Sequence, residues 1–338
     1  MSDTPGGGAD WALSPPGFGE MEEAAERIKG QAVITPLAEN HDLNAGAGNR
    51  IFVKAEMLQR TGSFKFRGAY NRISRLDEAE KTQGVIAYSS GNHAQAVACA
   101  AGLVGTQATI VMPSDAPGMK VARTRKYGAE IVMYDRKKET REDVARRVGE
   151  DRGLVMVPPN EDRRVLAGAG TVGREIGLQL SALGMEADAV LVPCGGGGLT
   201  AATALALKEL SPGTEIYAVE PEQFDDTRRS FEAGKRLPNP PGRQSICDAI
   251  MTDIPEELTF SINKDLLAGV LTVSDDEAVA AMRAAYDHFK LVVEPGGAVA
   301  LAAVLSRKFD AKGKTVAVVA TGGNVDLETY KNLLATTP

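Results

Sequence analysis

The sequence predicts an α/β fold with two lobes, in which twisted parallel sheets are flanked by helices. Its 338 residues are enough to bury two cores rather than one. Short runs rich in β-branched residues alternate with amphipathic or alanine-rich stretches. This alternation favours parallel strands joined by helical crossovers, with ligands at the carboxyl ends of the strands. The runs form two series along the chain, 84–89, 108–113, 129–134 and 153–157, then 188–193, 215–221, 269–274 and 315–321.

The two series of runs predict how the chain divides into domains. Residues 78–157 are expected to form a small domain, and residues 20–77 together with 158–338 a large domain. The N-terminal residues 1–19 are acidic and rich in glycine and proline, which predicts a flexible tail rather than a signal peptide. A cleft between the two lobes is the expected ligand site.

Composition and charge exclude several classes of partner. The net charge of -7 argues against a nucleic acid or an anionic membrane as the main partner. No apolar run reaches the roughly 18 residues that a membrane helix needs. Cys99, Cys194 and Cys247 are odd in number and far apart, which suits a reducing cytoplasm and supplies neither a disulfide framework nor a zinc cluster. We therefore expect a soluble cytoplasmic enzyme with a small-molecule substrate.

A lysine stands between two phenylalanines in the segment TGSFKFRGAY, residues 61–70. Burial lowers the pKa of a lysine, and a neutral amine can form a Schiff base with a carbonyl, so Lys65 is a candidate nucleophile. The alternative is a core lysine whose amine reaches solvent. Lys54, in FVKAEM, is a rival candidate, but it lies on a predicted strand without the glycine and serine context, which favours a structural role.

Four consecutive glycines, Gly195 to Gly198, separate the predicted strand VLVP from an alanine-rich helix. Such a run costs conformational entropy, so something must require bare backbone there. A glycine turn between a strand and a helix presents backbone N–H groups and the positive end of a helix dipole to an anion. The segment therefore predicts a phosphate site, since a tight turn alone would need only one or two glycines.

A second glycine pattern, GAGTVG at 168–173, has the spacing of a dinucleotide-binding fingerprint. That fingerprint follows directly on a strand, whereas PPNEDRRVLA separates this pattern from the preceding predicted strand. We interpret these glycines as close packing at a helix start. An NAD-dependent oxidoreductase is then a remote alternative.

The segment SSGNH, residues 89–93, follows a predicted strand and precedes an alanine-rich helix. Hydroxyl groups, an amide and free backbone N–H groups at a helix N-terminus suit a carboxylate. The alternative is a plain helix cap, which would need only one of these residues. The segment therefore predicts a site for a substrate carboxylate.

The segments SFKFRGA, SSGNHAQA, PCGGGGL and ATGGNVD occur in this order along the chain. Together they resemble the motifs of the serine/threonine dehydratase and serine racemase family of fold-type II pyridoxal-phosphate (PLP) enzymes. The resemblance covers the chain from about residue 20 to its end. It implies the two-lobed fold of enzymes similar to the tryptophan synthase β chain.

The resemblance also implies which residues hold the cofactor. Lys65 would bind PLP as a Schiff base and then remove the substrate's α-proton. The other cofactor-binding residues would be Phe64 near the ring, Asn92 at the 3′ oxygen, Thr321 facing the pyridine nitrogen, and Gly195, Gly196, Gly197, Gly198 and Leu199 around the phosphate. The neutral hydroxyl of Thr321 does not hold that nitrogen protonated, and a weaker electron sink favours rapid loss of a β leaving group.

The implied reaction is the deaminating dehydration of a β-hydroxy amino acid such as L-threonine or L-serine. Water is eliminated, and a 2-oxo acid and ammonia are the products. Ser89, Gly91 and His93 would hold the substrate carboxylate, largely through backbone N–H groups, and Asn160 would lie near the substrate. A PLP-binding protein without catalysis is a further alternative.

Two residues leave the substrate and the reaction open. Ser90 matches the second serine of serine racemases and hydroxyaspartate dehydratases, where it lies on the cofactor face opposite the lysine and exchanges a proton, so racemisation is an alternative activity. Arg141 matches a serine-racemase arginine at the edge of the pocket, where it could pair with a second carboxylate, so 3-hydroxyaspartate is an alternative substrate. A surface salt bridge is the structural alternative for Arg141.

The resemblance further implies a metal site and a dimer. Glu220, the Phe224 carbonyl and Asp226 match the family's Mg²⁺ or Ca²⁺ site, and oxygen ligands suit such a cation; an acidic loop is the alternative. Relatives of this kind are commonly dimers, so a homodimer is expected. Three departures from the family pattern, Ala249, Pro158 and Thr321, leave substrate specificity open.

Overall fold

The structure, a computed structural model, describes residues 14–47, 49–116 and 118–335. Ten strands in these residues form a six-stranded large sheet and a four-stranded small sheet. The strands are β1 (Leu37–Glu39), β2 (Arg50–Ala55), β3 (Val85–Tyr88), β4 (Ala108–Pro113), β5 (Glu130–Tyr134), β6 (Val155–Met156), β7 (Ala189–Pro193), β8 (Glu215–Pro221), β9 (Gly269–Val273) and β10 (Thr315–Ala320).

The strand order is β1-β2-β10-β7-β8-β9 in the large sheet and β5-β4-β3-β6 in the small sheet. Neighbouring strands are parallel except at one edge, where β1 pairs antiparallel with β2. All eight runs predicted from the alternation of patterns are strands, which confirms the α/β fold class. Strand β1 was not predicted, because its three residues are too short to show a periodic pattern.

Helices connect the strands and cover the sheets. They are α1 (Phe18–Ile28), α2 (His41–Ala47), α3 (Lys65–Ile73), α4 (Glu78–Gln83), α5 (Asn92–Val104), α6 (Gly118–Lys126), α7 (Arg141–Arg152), α8 (Arg163–Ala182), α9 (Gly198–Leu210), α10 (Asp226–Ala233), α11 (Glu257–Leu266), α12 (Asp275–Ala284), α13 (Pro295–Leu305) and α14 (Leu327–Ala335). Short 3-10 turns occur at Glu56–Leu58, Arg60–Gly62 and Asp248–Ile250, and a π-helical turn at Ala285–Phe289.

The central strands are apolar along their whole length because helices cover both faces of each sheet. All five residues of β7 are buried, for example. The two phenylalanines beside Lys65 belong to different cores. Phe64 packs against the core of the large sheet, which includes Val190 and Val192, and Phe66 lies in the core of the small sheet. Lys65 therefore lies where the two cores meet.

Glycines allow helix α8 to pack closely against its neighbours. A Cβ atom at Gly168 would lie 2.6 Å from the Arg67 carbonyl oxygen in α3, and one at Gly173 would lie 2.9 Å from the Thr203 Cα in α9. The GAGTVG segment thus serves helix packing, as predicted, although it lies inside α8 rather than at its start. This position, within a helix instead of at a strand-to-helix turn, excludes the dinucleotide fingerprint.

A buried ionic network holds α3 against the large sheet. The buried Arg67 guanidinium pairs with Glu56 at 2.8 Å and with Glu175 at 2.6 Å. The equally buried Lys54 amine pairs with Glu175, also at 2.6 Å. Buried charges are tolerated only when they are paired in this way. Lys54 thus has the structural role predicted for it, and the network fixes the helix that begins at Lys65.

The predicted domain division and tail can be compared with these elements. Every strand of the small sheet lies within residues 78–157, and every strand of the large sheet lies outside that range. This arrangement is compatible with the predicted division, which we retain as a proposal. Residues 1–13 of the predicted tail lie outside the described residues, whereas Phe18 and Gly19 already belong to α1. No described helix is both long enough and apolar enough to cross a membrane.

Candidate active site

A cleft of about 390 Å³ lies between the carboxyl ends of the two sheets. The residues that end β3, β4 and β5 line one side, and the segments after β7 and β10 line the other. This is where parallel α/β sheets bind ligands. The lining contains every predicted cofactor and substrate residue: Phe64, Lys65, Ser89, Ser90, Gly91, Asn92, His93, Arg141, Asn160, Gly195, Gly196, Gly197, Gly198, Leu199 and Thr321. The fold therefore brings these residues together, while their individual roles remain predictions.

The cleft has two walls, one beside each sheet. The small-sheet wall consists of residues 88–93 together with Lys120, Arg136 and Arg141. The large-sheet wall consists of Lys65, residues 193–199 and 248–252, Glu256, Glu294 and Thr321. Apart from Lys65, the charged residues are segregated, because the cations lie on the small-sheet wall and the acids on the large-sheet wall.

Lys65 is the first residue of α3, and its amine faces the cleft. The Nζ atom donates to the Pro159 carbonyl and to the Asn160 Oδ1, both at 3.0 Å, and lies 5.1 Å from the centre of the Phe64 ring. Burial lowers the pKa of Lys65 to about 8; Glu256 opposes this shift and Arg141 adds to it. The amine thus has a neutral fraction at neutral pH, as its sequence context predicts.

The glycine turn after β7 leaves no room for side chains. Gly197 has a φ of 80°, and a Cβ atom there would lie 2.6 Å from the Asn263 amide nitrogen. A Cβ atom at Gly198 would lie 2.8 Å from the Asn160 Oδ1, and one at Gly196 would overlap the amide nitrogen of the same asparagine. Bare backbone at the start of α9 fits a phosphate group. Because Asn160 also contacts the Lys65 amine, the amine and this turn lie next to each other.

The loop from β3 to α5 forms much of the small-sheet wall. The Gly91 N–H donates to the Ser89 hydroxyl at 3.2 Å, and Ser90 lines the same cleft. Asn92 begins α5, and its amide is held from both sides: Nδ2 donates to Glu294 Oε1 at 2.6 Å, and Oδ1 accepts from Asn324 at 2.7 Å. The amide of Asn92 therefore has a fixed orientation in the cleft.

The His93 side chain cannot bind a carboxylate as a hydrogen-bond donor. Its Nε2 lies 2.8 Å from the Val157 carbonyl oxygen, so Nε2 carries the proton. Burial, with a further contribution from Lys65, lowers the pKa of His93 to about 3, which keeps the ring neutral. The buried Nδ1 is then an acceptor, and it has no partner among the described residues. Only the backbone N–H of His93 is left for the predicted role.

Arg141 begins α7 and reaches the cleft over an aromatic ring. Its guanidinium carbon lies 5.6 Å from the centre of the Tyr88 ring, and its Nε donates to Glu142 at 2.7 Å. Arg141 therefore lines the cleft and also makes the surface salt bridge that was its structural alternative. Thr321, directly after β10, accepts a hydrogen bond from the Phe64 N–H through its carbonyl at 3.1 Å.

Several charged residues of the cleft were not predicted from the sequence. On the small-sheet wall, Lys120 pairs with Asp248 across the cleft, and Arg136 pairs with Asp115 at 2.8 Å. On the other wall, burial raises the pKa of Glu294 to about 7, and the Asn92 amide opposes this shift. No sequence signal marks these residues, because each resembles an ordinary surface charge or helix cap.

Glu256 is the other unpredicted acid of the cleft. Its side chain lies beside the glycine turn, since a Cβ atom at Gly196 would lie 3.1 Å from the Glu256 Cγ. Burial raises the pKa of Glu256 to about 7, and Glu161 adds to the shift, whereas Arg141 and Asn160 oppose it. Because a Cβ atom at Gly196 would meet both Glu256 and the Asn160 amide, Glu256 lies near the asparagine that contacts the Lys65 amine.

The residues of the predicted metal site lie away from this cleft. Glu220 ends β8, and its carboxylate accepts hydrogen bonds from the Thr227 and Arg228 N–H groups at 3.0 and 2.9 Å, at the start of α10. Burial and the neighbouring Asp226 raise the pKa of Glu220, and burial raises that of Asp226 to about 7. The described residues contain no group of three or more His, Cys, Asp or Glu side chains that could hold a metal ion.

A reactive lysine beside an anion-binding turn, in a cleft between two parallel sheets, defines a class of enzyme that holds a phosphorylated carbonyl cofactor. Comparison with known proteins identifies the family. The model for the family "Pyridoxal-phosphate dependent enzyme" matches residues 28–322. The chain therefore belongs to the pyridoxal-phosphate-dependent enzymes, which agrees with the resemblance found in its motifs.

Individual relatives cover nearly the whole chain. It is 46% identical to the L-threo-3-hydroxyaspartate ammonia-lyase of a Pseudomonas species, over 94% of this chain and 98% of the relative. It is 40% identical to the serine racemase of Schizosaccharomyces pombe, over 95% of this chain and 98% of that protein. The crystal structure of a threonine deaminase from T.th. is 42% identical, with a TM-score of 0.86 over 92% of this chain and 99% of the other. The chain is thus a PLP-dependent enzyme that is similar to ammonia-lyases and to serine racemases.

Proposed function

We propose that this enzyme dehydrates and deaminates a β-hydroxy amino acid that carries a second carboxylate, with 3-hydroxyaspartate as the best-supported substrate. The observation that carries the proposal is Arg141 in the lining of the cleft, above the Tyr88 ring, together with Arg136 on the same wall. A planar guanidinium suits bidentate recognition of a carboxylate. The relative named for L-threo-3-hydroxyaspartate supports the same choice.

Most of the residues that would hold the cofactor lie on the large-sheet wall, and Asn92, on the small-sheet wall, would meet its 3′ oxygen. Its phosphate fits the turn at Gly195 to Gly198, and its carbonyl carbon would react with the Lys65 amine. Bound PLP withdraws electrons from the substrate's Cα, which makes the α-proton acidic. The neutral hydroxyl of Thr321 would face the pyridine nitrogen, as the family pattern implies, and Phe64 would pack near the ring.

The chain's own groups then account for the proton transfers. Lys65 would take the α-proton at Nζ, since its lowered pKa leaves it partly neutral. The α-proton and the β-hydroxide together leave as water, and hydrolysis of the remaining enamine gives a 2-oxo acid and ammonia. Ser89, Gly91 and His93 would hold the α-carboxylate, Ser89 through its hydroxyl because its backbone N–H donates to the Val111 carbonyl, and His93 through its backbone N–H. Asn160 would lie beside the substrate and orient the lysine.

The decisive experiment is a substrate screen on the PLP-loaded enzyme. The stereoisomers of serine, threonine and 3-hydroxyaspartate are compared for release of 2-oxo acid and for inversion at Cα. We expect the highest kcat/KM for a 3-hydroxyaspartate isomer and slower release of oxo acid from threonine and serine. A preference for serine or threonine over every hydroxyaspartate isomer would contradict the proposed substrate, and absence of oxo acid from all of them would contradict the reaction.

Racemisation is a second candidate activity, and Ser90 is the observation that favours it. Its hydroxyl lines the cleft next to the proposed carboxylate loop. A second group able to carry a proton is what inversion at Cα requires. The serine racemase from Schizosaccharomyces pombe supports this side activity. The same screen measures it as the appearance of the opposite enantiomer.

A divalent cation bound by Glu220, Asp226 and the Phe224 carbonyl is also part of the proposal. Burial and the nearby charge of Asp226 make ionisation of Glu220 unfavourable. A Mg²⁺ or Ca²⁺ ion between the two carboxylates would offset this repulsion. Dialysis against a chelator should lower the melting temperature, and either cation should restore it. An unchanged melting temperature would contradict the site, as would an Asp226→Asn variant that responds to the cations like the wild type.

A homodimer is proposed because the family resemblance implies one and because one segment of the chain exposes an apolar side chain. Hydrogen bonds between Val33 and the Gln59 side chain hold the segment before β1 beside the turn after β2. Ile34, in that segment, is 75% exposed, so a second copy of the chain can pack against it. A second copy of the chain is the proposed occupant. Light scattering should show a dimer for the wild type and a monomer for Ile34→Glu, whereas a monomeric wild type would refute the proposal.

A cytoplasmic location is supported by the cysteines. Cys99, Cys194 and Cys247 are free thiols, and two of them are buried. Burial raises the pKa of Cys194, and it raises that of Cys247 to about 12, so neither forms a thiolate at neutral pH. Free thiols of this kind suit a reducing compartment.

A further inference from the structure

One ion pair joins the two walls of the cleft near its opening to solvent. The Lys120 amine in α6 pairs with the Asp248 carboxylate, and both residues line the cleft. Their side chains are 27% and 49% exposed, whereas Glu294, which accepts a hydrogen bond from Asn92 across the same cleft, is buried. The Lys120–Asp248 pair, the cross-cleft pair, therefore lies nearer to solvent than that hydrogen bond.

The cross-cleft pair differs from the other ion pairs around the small sheet in what it connects. Among the described residues, it is the only ion pair between residues 78–157, which contain the small sheet, and the rest of the chain. The others of this segment stay within it, as Arg152 does with Glu130 at 2.9 Å. Breaking the cross-cleft pair therefore removes an ion pair that resists separation of the two walls.

The Asp248 side of the pair is fixed to the large sheet. Asp275, the first residue of α12, accepts hydrogen bonds from the Ser245 hydroxyl at 2.6 Å and from the Ile246 N–H at 3.1 Å. Cys247 is buried in a core that includes residues of β7 and β10. Asp248 therefore moves with the large sheet.

The Lys120 side of the pair is fixed to the small sheet instead. Val121, the next residue of α6, is buried in the core of the small sheet. The hydroxyl of the buried Thr124 donates to the Lys120 carbonyl at 3.0 Å. The two partners are thus anchored in different cores, so the pair must break when the cores move apart at this edge of the cleft.

The turn that carries Asp248 also borders the proposed phosphate site. A Cβ atom at Gly195 would lie 3.0 Å from the Ile250 Cα, and Ala249 lines the cleft between Asp248 and Ile250. The cross-cleft pair therefore lies beside the place where the cofactor would be held, and not at a remote contact between the two sheets.

We propose that the cross-cleft pair is a gate, which closes the cleft over the bound cofactor and must break before an amino acid enters or a product leaves. Closing the cleft keeps bulk water away from the cofactor and the substrate. A partly exposed ion pair is weak enough to open and form again many times. The inference uses the cofactor of the family and does not depend on which amino acid is the substrate.

The test measures how fast a small neutral reagent reaches the cofactor in the PLP-loaded enzyme. Hydroxylamine attacks the cofactor's carbonyl carbon, displaces the Lys65 amine and forms an oxime, and the change in absorbance gives the rate. Because hydroxylamine is uncharged at neutral pH, removing a charge from the cleft does not change its attraction to the protein. We expect Lys120→Gln and Asp248→Asn each to raise the rate about two- to fivefold, the size of effect that such ion pairs have. An unchanged rate in either variant would overturn the inference.

A charge reversal shows whether the two residues act together. Lys120→Asp alone places two carboxylates next to each other and should raise the rate more than Lys120→Gln does. Combining it with Asp248→Lys restores an ion pair and should bring the rate back toward that of the wild type. If the double variant reacted as fast as Lys120→Asp alone, the two residues would act separately and the inference would fail.

Salt and a matched lysine complete the test. Raising NaCl from about 0.05 M to about 1 M screens the pair, so it should raise the wild-type rate and leave that of Lys120→Gln nearly unchanged. Lys138→Gln removes another lysine of residues 78–157, which pairs with Asp135 at 3.5 Å, and should react like the wild type. An equal rise in Lys138→Gln would contradict a role specific to the cross-cleft pair. All of these rates are measured without an amino acid, so they can fail or succeed independently of the proposed substrate.

Discussion

The large-sheet wall of the cleft and the arginines of the small-sheet wall differ in how firmly their polar groups are held. On the large-sheet wall, the Lys65 amine has two acceptors at 3.0 Å, and the glycine turn beside it admits no side chain. On the small-sheet wall, Arg136 and Arg141 pair with acids whose side chains are 64% and 50% exposed. Exposed ion pairs contribute little to stability, so these cations can exchange their partners for a ligand. One wall is built for a single resident group, and the other can adapt to different substrates.

The largest effect should come from removing the Lys65 amine from the large-sheet wall. Lys65→Ala should lower kcat/KM for elimination by about a thousandfold or more, because both the covalent link and the base are lost. Borohydride reduction followed by peptide mass mapping should place the cofactor on Lys65 in the wild type. Lys208→Ala, an exposed lysine in α9, is the control and should keep the adduct. An adduct on Lys54 would show that the wrong lysine was chosen.

A second test of the large-sheet wall adds a methyl group to the glycine turn that would hold the phosphate. In Gly196→Ala, the added methyl group overlaps the Asn160 amide, and the resulting strain should weaken PLP binding about 10- to 100-fold. Titration of the apoenzyme with PLP, followed by absorbance, measures this loss. Gly213→Ala is a matched control, since a Cβ atom there meets nothing within 4 Å. Equal affinities for PLP in the two variants would mean that the turn does not hold the cofactor.

On the small-sheet wall, a substitution should have a smaller effect on KM, and the size of that effect should depend on the substrate. Arg141→Gln should raise KM for 3-hydroxyaspartate about 10- to 100-fold and leave KM for threonine nearly unchanged, because only the dicarboxylate loses a charge partner. Arg147→Gln removes another arginine of α7, which pairs with Glu139 at 2.7 Å, and should have no such effect. Equal losses for both substrates would mean that Arg141 has a structural role.

The smallest expected effect is on inversion at Cα alone, with elimination nearly unchanged. Ser90→Ala should abolish inversion at Cα while changing the elimination rate by less than about threefold, since elimination needs no second proton carrier. Chiral chromatography of the remaining substrate measures the inversion, and oxo acid release in the same samples measures the elimination. If both rates fell together, Ser90 would belong to the carboxylate site rather than to proton exchange.

The cofactor half of the site could be predicted because its residues are contiguous in sequence. Gly195 to Gly198 form one run, and Lys65 lies in one short motif, so each can be recognised from its neighbours in the sequence. Two acids of the cleft lie singly before helices: Glu256 precedes α11 and Glu294 precedes α13, and neither side chain caps its helix. Only the fold shows that they share a cavity.

The role expected of His93 shows the same limit. The segment SSGNH predicts a carboxylate site, and its residues do line the cleft. It could not show that the imidazole would bond to the carbonyl of Val157, 64 positions away in the chain. That contact forms only when β6 pairs with β3 in the small sheet. Motifs therefore located the site, whereas the protonation and orientation of its side chains depend on long-range pairing.

The packing of Phe64 and Phe66 has a mechanical consequence. Because these residues are anchored in separate cores, with Lys65 between them, sliding of one lobe against the other would change the backbone torsions of 64–66. The amine thus lies on a segment that links the two lobes. Opening and closing of the cleft would then tilt the lysine itself, so that access of substrate and readiness of the base are linked through three residues.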